Sequence, residues 1–244
     1  TGGDCYSLTP DVNWKLGSVW YADQIDLSKD FDLEFDLNFG AKDVGADGIV
    51  FVLQNVGNRA IGLAGGGLGF DGFSPSLGIE FDTYQNSNIG DPAQDHIAIF
   101  KNGTVDHYGS TALSGHVQAH KTKSNIEDGE NHQIRVKWEV AIQTLEVWFD
   151  CELRQSVSLD IQEEIFEGKS KVYWGFTAAT GGLSNQQTAC LRKDIIAQDT
   201  FAVCKGDRTR LNVRKSFDDK YLWTPSRFLD DTSVKRPFCS STIP

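Results

Sequence analysis

Apolar and polar residues alternate with a period of two over much of the chain. In 31–39 (FDLEFDLNF), Phe31, Leu33, Phe35, Leu37 and Phe39 share one face, and Asp32, Glu34, Asp36 and Asn38 share the other. His132–Glu139 (HQIRVKWE) and 144–149 (TLEVWF) alternate in the same way, with a turn near 141–143 between them. Side chains on a strand point alternately to its two faces, so each segment predicts a strand with one buried and one wetted side. Three further runs are short, β-rich and bounded by glycine or polar turns: 48–54 (GIVFVLQ), 77–84 (LGIEFDTY) and 171–177 (KVYWGFT). They predict strands buried on both faces. The only helix-like stretch is 161–166. Many strands without a βαβ rhythm predict an all-β, antiparallel jelly-roll sandwich.

The chain has 244 residues, enough for one large sandwich, with 24 Gly and 11% aromatic residues. It begins TGG and contains no Met, as expected of a processed protein or an excised piece of a longer one. No apolar run reaches the length that spans a bilayer as a helix, so membrane insertion is not expected. The formal charge is −11, with 34 acidic against 23 basic residues, and no basic face suits nucleic acid. A solvated acidic surface explains most of that charge, and carboxylates gathered around hard cations would explain the rest. The five cysteines, Cys5, Cys151, Cys190, Cys204 and Cys239, contain no CxxC pair, which favours disulfides in an oxidising compartment over a zinc site. Cys151 follows the strand-like Val147-Trp148-Phe149 and is expected to be a buried thiol.

The chemistry concentrates in 78–100 (GIEFDTYQNSNIGDPAQDHIAIF). Glu80 and Asp82 stand two apart on a strand, so both carboxylates project from one face. Tyr84 and Asn86 carry that register into a loop, Gly90-Asp91-Pro92 turns it, and His96 opens the next strand. The loop can bring together four carboxylate or amide oxygens, an imidazole and a backbone carbonyl. Without a cation such a cluster is self-repelling. Oxygen-rich ligands suit Ca²⁺, and a mixed Glu, Asp and His set suits a first-row ion such as Mn²⁺. Asn102-Gly103-Thr104 is a glycosylation sequon in form and predicts a hairpin turn.

The spacing Glu80-x-Asp82-x-Tyr84-x-Asn86, then Asp91-Pro92, then His96, resembles the two-metal signature of the legume (L-type) lectins of the concanavalin A kind. That resemblance implies the concanavalin A-like lectin fold and carbohydrate binding without catalysis. It implies that Glu80, Asp82, Asp91 and His96 hold Mn²⁺ or another second divalent cation. Asp82, Asn86, Asp91 and the carbonyl of Tyr84 would hold Ca²⁺. Ala46-Asp47-Gly48 resembles the family's cis Ala-Asp step, whose aspartate accepts from sugar hydroxyls. Residues 65–69 (GGGLG) resemble the glycine loop whose N–H, from Gly66 or Gly67, reaches a sugar hydroxyl; only glycine permits so close an approach. Asn86 would donate through its amide, Tyr84 would offer a ring face, and a last contact would come from 181–187 (GGLSNQQ), through Leu183 and Ser184. That last loop matches the family poorly.

The resemblance covers residues 4–201. The opening DCYSLTPDVNWKLGSVWY departs from plant lectins and is closer to bacterial surface-protein versions of the fold, which implies a secreted or cell-surface protein. It also implies a Cys5–Cys190 disulfide across neighbouring terminal strands, and a second pair, Cys204–Cys239. The expected domains are thus 1–203 and 204–244. The second is either the start of a PKD-like, immunoglobulin-type module, on the match of 221–231 (YLWTPSRFLDD), or a C-terminal extension, and the module reading places the chain in a longer multidomain protein.

Two other functions compete. A related jelly-roll glycoside hydrolase would need a second catalytic carboxylate on the strand, as E-x-D-x-x-E, where this chain has Gln85. An adhesive or structural module without sugar binding would not need Asp47, Asn86 and the metal set together. The expected partners are glycans, mannose or glucose types favoured.

Overall fold

A computed structural model describes residues 4–191 and two short segments, 208–210 and 238–240. The chain divides into two units, Thr1–Ile195 and Ile196–Pro244. Within the second, β14 (Arg208–Arg210) pairs antiparallel with β15 (Phe238–Ser240). Cys204, the expected boundary after 203 and the 221–231 motif lie outside the described residues.

The first unit is an antiparallel sandwich. One sheet contains β1 (Asp4–Thr9), β13 (Gln187–Leu191), β4 (Phe31–Asn38), β9 (His132–Glu139), β10 (Thr144–Phe149) and β11 (Glu152–Ser158), in that order. The other runs β2 (Leu16–Trp20), β12 (Lys171–Ala179), β5 (Gly48–Gln54), β6 (Ser76–Asp82), β7 (His96–Lys101) and β8 (Val117–Gln118), with β3 (Ile25–Asp26) also pairing β12. The helix-like stretch supplies a single turn, α1 (Ile161–Glu164), capped by Asp160, whose side chain accepts from the Glu163 N–H. The alternating strands follow the pattern except at the start of β4, where Phe31 is half-buried and Glu34, expected on the wetted face, is buried. Leu33, Phe35, Leu37 and Phe39 are buried, as are Ile134 and Val136 on β9 and Leu145 and Val147 on β10.

Between the sheets, Phe35 stacks on Phe51 at 5.5 Å and meets the edge of Phe176 at 4.8 Å. Burying such side chains is the main term holding the sandwich together, at roughly 1.5–3 kcal/mol each. The two-sided burial of β5 and β6 has a second source. Ile49, Phe51, Leu53, Ile79 and Phe81 face the inter-sheet core, while Val50 and Val52 face the other way, into a smaller cluster with Leu68, Phe70, Phe73, Ala98, Phe100 and Val105. Loops after β5 and β7 supply that second layer, so the middle of the sheet is covered on both faces. Glu80 and Asp82 alternate with Phe81 and therefore lie on the loop-covered face. Ile79→Val, a change on the opposite face, should lower stability by about 0.5–1.5 kcal/mol and leave ligand binding unchanged, as denaturant melts and a binding titration would show.

A disulfide joins Cys5 and Cys190, which are directly opposite in the β1–β13 ladder. The expectation for Cys151 is corrected: it is exposed. Strand β10 ends at Phe149 and β11 begins at Glu152, so Asp150 and Cys151 form the two-residue hairpin turn, with φ of 47° and 72°. A turn with both φ positive matches the twist of an antiparallel hairpin and turns the thiol away from the core.

Candidate functional site

Register places the chemistry along one end of the second sheet. Leu16 pairs with Ala179, Ala179 with Gly48, Gly48 with Asp82, and Asp82 with His96. The loops leaving these positions, 10–15, 42–47, 83–95 and 180–186, therefore emerge side by side. Residues far apart in sequence share one rim because the strands that carry them end in step.

Asp47 lies in the loop before β5, after a cis peptide bond from Ala46. Its backbone is fixed on both sides: its N–H donates to Ala179 O (3.1 Å), and its carbonyl accepts from the Thr83 N–H (2.9 Å) and hydroxyl (3.3 Å). The side chain is buried, and Oδ2 has no hydrogen-bond partner. Burial pushes its pKa up to about 7. Gly181 lies over it, since a Cβ there would stand 3.1 Å from Oδ2. A buried carboxylate oxygen left without a partner is chemically a receptor for donors supplied from outside.

The glycine turn, Gly65–Gly67, meets the same place from the other side. A Cβ on Gly66 would come within 2.6 Å of Asn86 Oδ1, so only glycine lets this backbone sit against the asparagine amide. Gly67 is packed on Leu63 and Asp71, and its N–H donates to Ala64 O. Asn86 is held by its own N–H, which donates to Asp91 Oδ2 at 2.6 Å, and its buried Oδ1 has no hydrogen-bond partner. The Tyr84 N–H donates to Asp82 Oδ1 (2.7 Å), and the tyrosine is 39% exposed beside the rim.

Beneath this rim the structure brings together Glu80, Asp82, Asp91 and His96, all buried. Ligand-type atoms of Asp82, Asp91 and His96 lie within 4.8 Å of one another, as do those of Glu80, His96 and His107. Burial and the neighbouring charges of Glu80 and Asp91 raise the Asp82 pKa well above the carboxylate range. Burial pushes Glu80 the same way, but His107 and His96 outweigh it and hold Glu80 below its ordinary value. Glu80 Oε1 and Oε2 and Asp91 Oδ1 are buried without a hydrogen-bond partner. Three carboxylates and two imidazoles left in this state fit a bound cation better than a hydrogen-bonded network. Asp91 reaches both sides of the cluster, with Oδ1 3.3 Å from His107 Nε2 and Oδ2 accepting from the Asn86 N–H.

Of the last expected contacts, Leu183 is 43% exposed and its carbonyl accepts from the Gly181 N–H (3.1 Å), while the Ser184 hydroxyl donates to Asp11 Oδ1 (2.8 Å). Leu183, Tyr84, Thr83, Val44 and Asn125 line a cleft of about 300 Å³ running along the rim. A larger cavity, about 510 Å³, is lined by residues of β2 and β12 and includes none of these groups, so size alone does not mark the site.

Two residues at the site were not singled out from sequence. His107 returns to the cluster after the turn at Asn102 and Gly103, whose φ values are 61° and 62°. Trp14 is 69% exposed at φ 58°, its N–H donates to Gly181 O (3.2 Å), and its ring edge is 3.9 Å from where a Gly65 Cβ would stand. A large aromatic among polar residues in a short loop was the available signal for Trp14; an Asp-His pair just beyond a hairpin turn was the signal for His107.

Comparison with known proteins agrees with this fold. Basic winged bean lectin with Tn-antigen superposes with a TM-score of 0.59 at 21% identity, over 77% of this chain and 84% of that one. The Bauhinia forficata lectin in complex with GalNAc gives 0.60 at 19%, over 76% and 82%. The exoplasmic/lumenal domain of VIP36 in its Ca²⁺/Man3GlcNAc-bound form gives 0.56 at 20%, over 77% of each. In sequence, the pesticidal crystal protein Cry22Aa of Bacillus thuringiensis is 34% identical over 88 residues, which is 35% of this chain and only 12% of that protein. The model of the legume lectin beta-barrel domain, the L-type lectin domain, matches residues 2–193. Its members bind carbohydrate and are not enzymes, which removes the hydrolase reading, as does Gln85 at the position where that reading needs its second carboxylate. The chain belongs to the L-type lectin family and is a carbohydrate-binding domain.

Proposed function

We propose that this domain binds glycans in a calcium-dependent manner as part of a secreted or cell-surface protein, for adhesion or glycan recognition. The observation that carries the reading is the buried, unpartnered Asp47 carboxylate set between Gly181, the Gly66 turn and the cation-type cluster. In this reading Asp82, Asn86, Asp91 and the Tyr84 carbonyl hold Ca²⁺, and Glu80, Asp82, Asp91 and His96 hold a second divalent ion. Bound calcium would hold the Asn86 side chain in the orientation its amide needs. Asp47 accepts from two sugar hydroxyls, the Asn86 amide donates to a third, and of the two expected glycines Gly66 donates from the backbone, since the Gly67 N–H is bound to Ala64 O. Tyr84 and Leu183 supply apolar surface, with Ser184 at the margin. Trp14 adds a second aromatic face on the Gly65 side.

Mannose- or glucose-type sugars are favoured because the calcium-loop sequence is nearest to that class. The similar lectins were crystallised with both GalNAc and mannose-type ligands, so the contrast is a direct one to measure. A single site of this kind should bind a monosaccharide with a Kd of about 0.1–1 mM, roughly −4 to −5.5 kcal/mol. Adhesion would then draw on several copies or a longer parent protein. The Cys5–Cys190 disulfide suits an oxidising, extracellular setting.

Calorimetric titration with methyl mannoside, glucose, galactose and GalNAc in saturating calcium tests the reading. Mannose or glucose should bind within the stated range, and Asn86→Ala should weaken binding by at least about tenfold, the loss of one hydrogen bond to an ordered polar ligand. Full binding by Asn86→Ala would overturn the assignment of this residue.

A further inference from the structure

The carbohydrate reading makes no use of His107, whose side chain is only 6% exposed. Its loop is secured from two directions. The His107 N–H donates to Ile89 O (3.0 Å), and Gly90 lies under it, where a Cβ would come 3.1 Å from His107 Cβ. The ring meets Phe100 and His116 edge-on, at 5.0 and 5.2 Å between centroids, and brings its Nε2 to the cluster beneath the rim.

There, His107 Nε2 lies 3.1 Å from Glu80 Oε1, 3.3 Å from Asp91 Oδ1 and 3.1 Å from His96 Nε2. His96 Nε2 is itself 3.2 Å from Glu80 Oε1. Each imidazole can place at most one proton on its Nε2, and that proton can point to only one of these neighbours. Glu80 Oε2, buried in the same cluster, has no hydrogen-bond partner at all. Hydrogen bonding thus leaves the cluster incompletely satisfied. Ligand atoms bound to one first-row ion at about 2.0–2.2 Å stand about 3.0–3.5 Å apart, which is the spacing found here.

We propose that His107 is a direct ligand of the second cation, so that the site is built from two imidazoles and carboxylates and takes a borderline ion of the zinc or cobalt(II) class in preference to manganese. The proposal rests on the metal-dependent reading above and changes the identity of one ion. Two neutral nitrogen donors raise the affinity for later first-row ions more than for Mn²⁺, which is content with oxygen. Calcium keeps the oxygen-only side of the cluster, around Asn86 and the Tyr84 carbonyl.

The test uses the whole chain, stripped with chelator and resupplied with calcium, then titrated with Zn²⁺, Co²⁺ and Mn²⁺. Calorimetry gives affinity and the visible spectrum of Co²⁺ reports its ligands. Wild type should bind one Zn²⁺ or Co²⁺ per chain, and more tightly than Mn²⁺ by more than His107→Gln does. His107→Ala should lose about 10–100-fold in Zn²⁺ affinity and change the cobalt spectrum. His107→Gln, which replaces nitrogen by an amide oxygen, should narrow the Zn²⁺/Mn²⁺ preference while its circular dichroism stays that of wild type. Unchanged zinc affinity and cobalt spectrum in both variants would overturn the proposal, as would a wild-type chain that takes up no first-row ion. Sugar binding is measured separately. If it is absent while the cobalt result holds, the carbohydrate assignment fails and the ligand assignment stands.

Discussion

Asp47→Ala is expected to abolish measurable sugar binding while leaving the sandwich folded. The Asp47 Oδ2 is a buried acceptor without a hydrogen-bond partner, lying under Gly181. A hydrogen bond to a charged group contributes about 1.5–3 kcal/mol, and two of them make up most of the −4 to −5.5 kcal/mol expected of one site. Losing both leaves an affinity too weak to titrate, at least about 100-fold down. The fold should tolerate the change because the backbone of residue 47, through its bonds to Ala179 and Thr83, does the structural part. Removing a buried carboxylate whose pKa is raised to about 7 by burial even relieves a desolvation cost in the metal-free protein. Calorimetric titration together with a thermal melt separates the two effects. Wild-type sugar affinity in Asp47→Ala would mean that recognition happens elsewhere; loss of the cooperative melt would mean that Asp47 is structural.

Stripping the divalent ions should lower stability and make it strongly pH-dependent. A ligand held at about 100 times its Kd stabilises the folded state by about 2.7 kcal/mol, which for a domain of this size corresponds to about 5–10 °C in Tm per ion. In the stripped protein, the pKa values of Asp47 and Asp82 are raised in the folded state, Asp47 from 3.8 to about 7. The folded state then holds more protons than the unfolded one between those values, so stability falls as the pH rises through that window. His107, which burial pulls down but Asp91 and Glu80 carry up to about 9, adds stability below about 6.5 that is lost as the pH rises toward 9. Glu80 works in the opposite sense, with stability gained above 4.5, its ordinary value, and lost as the pH falls through its depressed one. With ions bound, all four groups are held deprotonated or coordinated, and the slope between pH 5 and 8 should flatten. Differential scanning calorimetry at several pH values, with calcium and with chelator, checks both statements. Equal Tm values in the two conditions would show that no cation contributes to the fold.

Period-two alternation was enough to place β4, β9 and β10 and to identify their buried faces, because each has one face in the inter-sheet core. Strands β5 and β6 read as buried on both faces for a reason the pattern could not disclose. Their outer face is covered by a second cluster made of Leu68, Phe70 and Phe73 from the loop after β5 and Val105 from the loop after β7, packed with Phe100 of β7. The site was legible where its residues are close in sequence, as in Glu80 to His96, since strand geometry alone puts Glu80 and Asp82 on one side. It was not legible where tertiary structure delivers the group. His107 arrives by a hairpin return and Trp14 by a loop that lies next to Gly181 only because Leu16 pairs with Ala179. Cys151 was misplaced because its neighbours are strand-like, whereas the turn that reverses the chain takes Asp150 and Cys151 out of the ladder. The 181–187 loop gave a position but little chemistry: its serine is held by Asp11, and its leucine borders a cleft that only the folded chain assembles.

The most direct test of a calcium-dependent lectin is a glycan array probed with the whole chain in calcium with a first-row ion, and again in excess chelator. Binding to one sugar class, mannose- or glucose-type glycans, is expected to disappear with chelator and return when calcium is restored. Binding that survives chelation would contradict calcium dependence, because recognition would then not depend on the cluster formed by Asp82, Asn86 and Asp91 beneath Asp47.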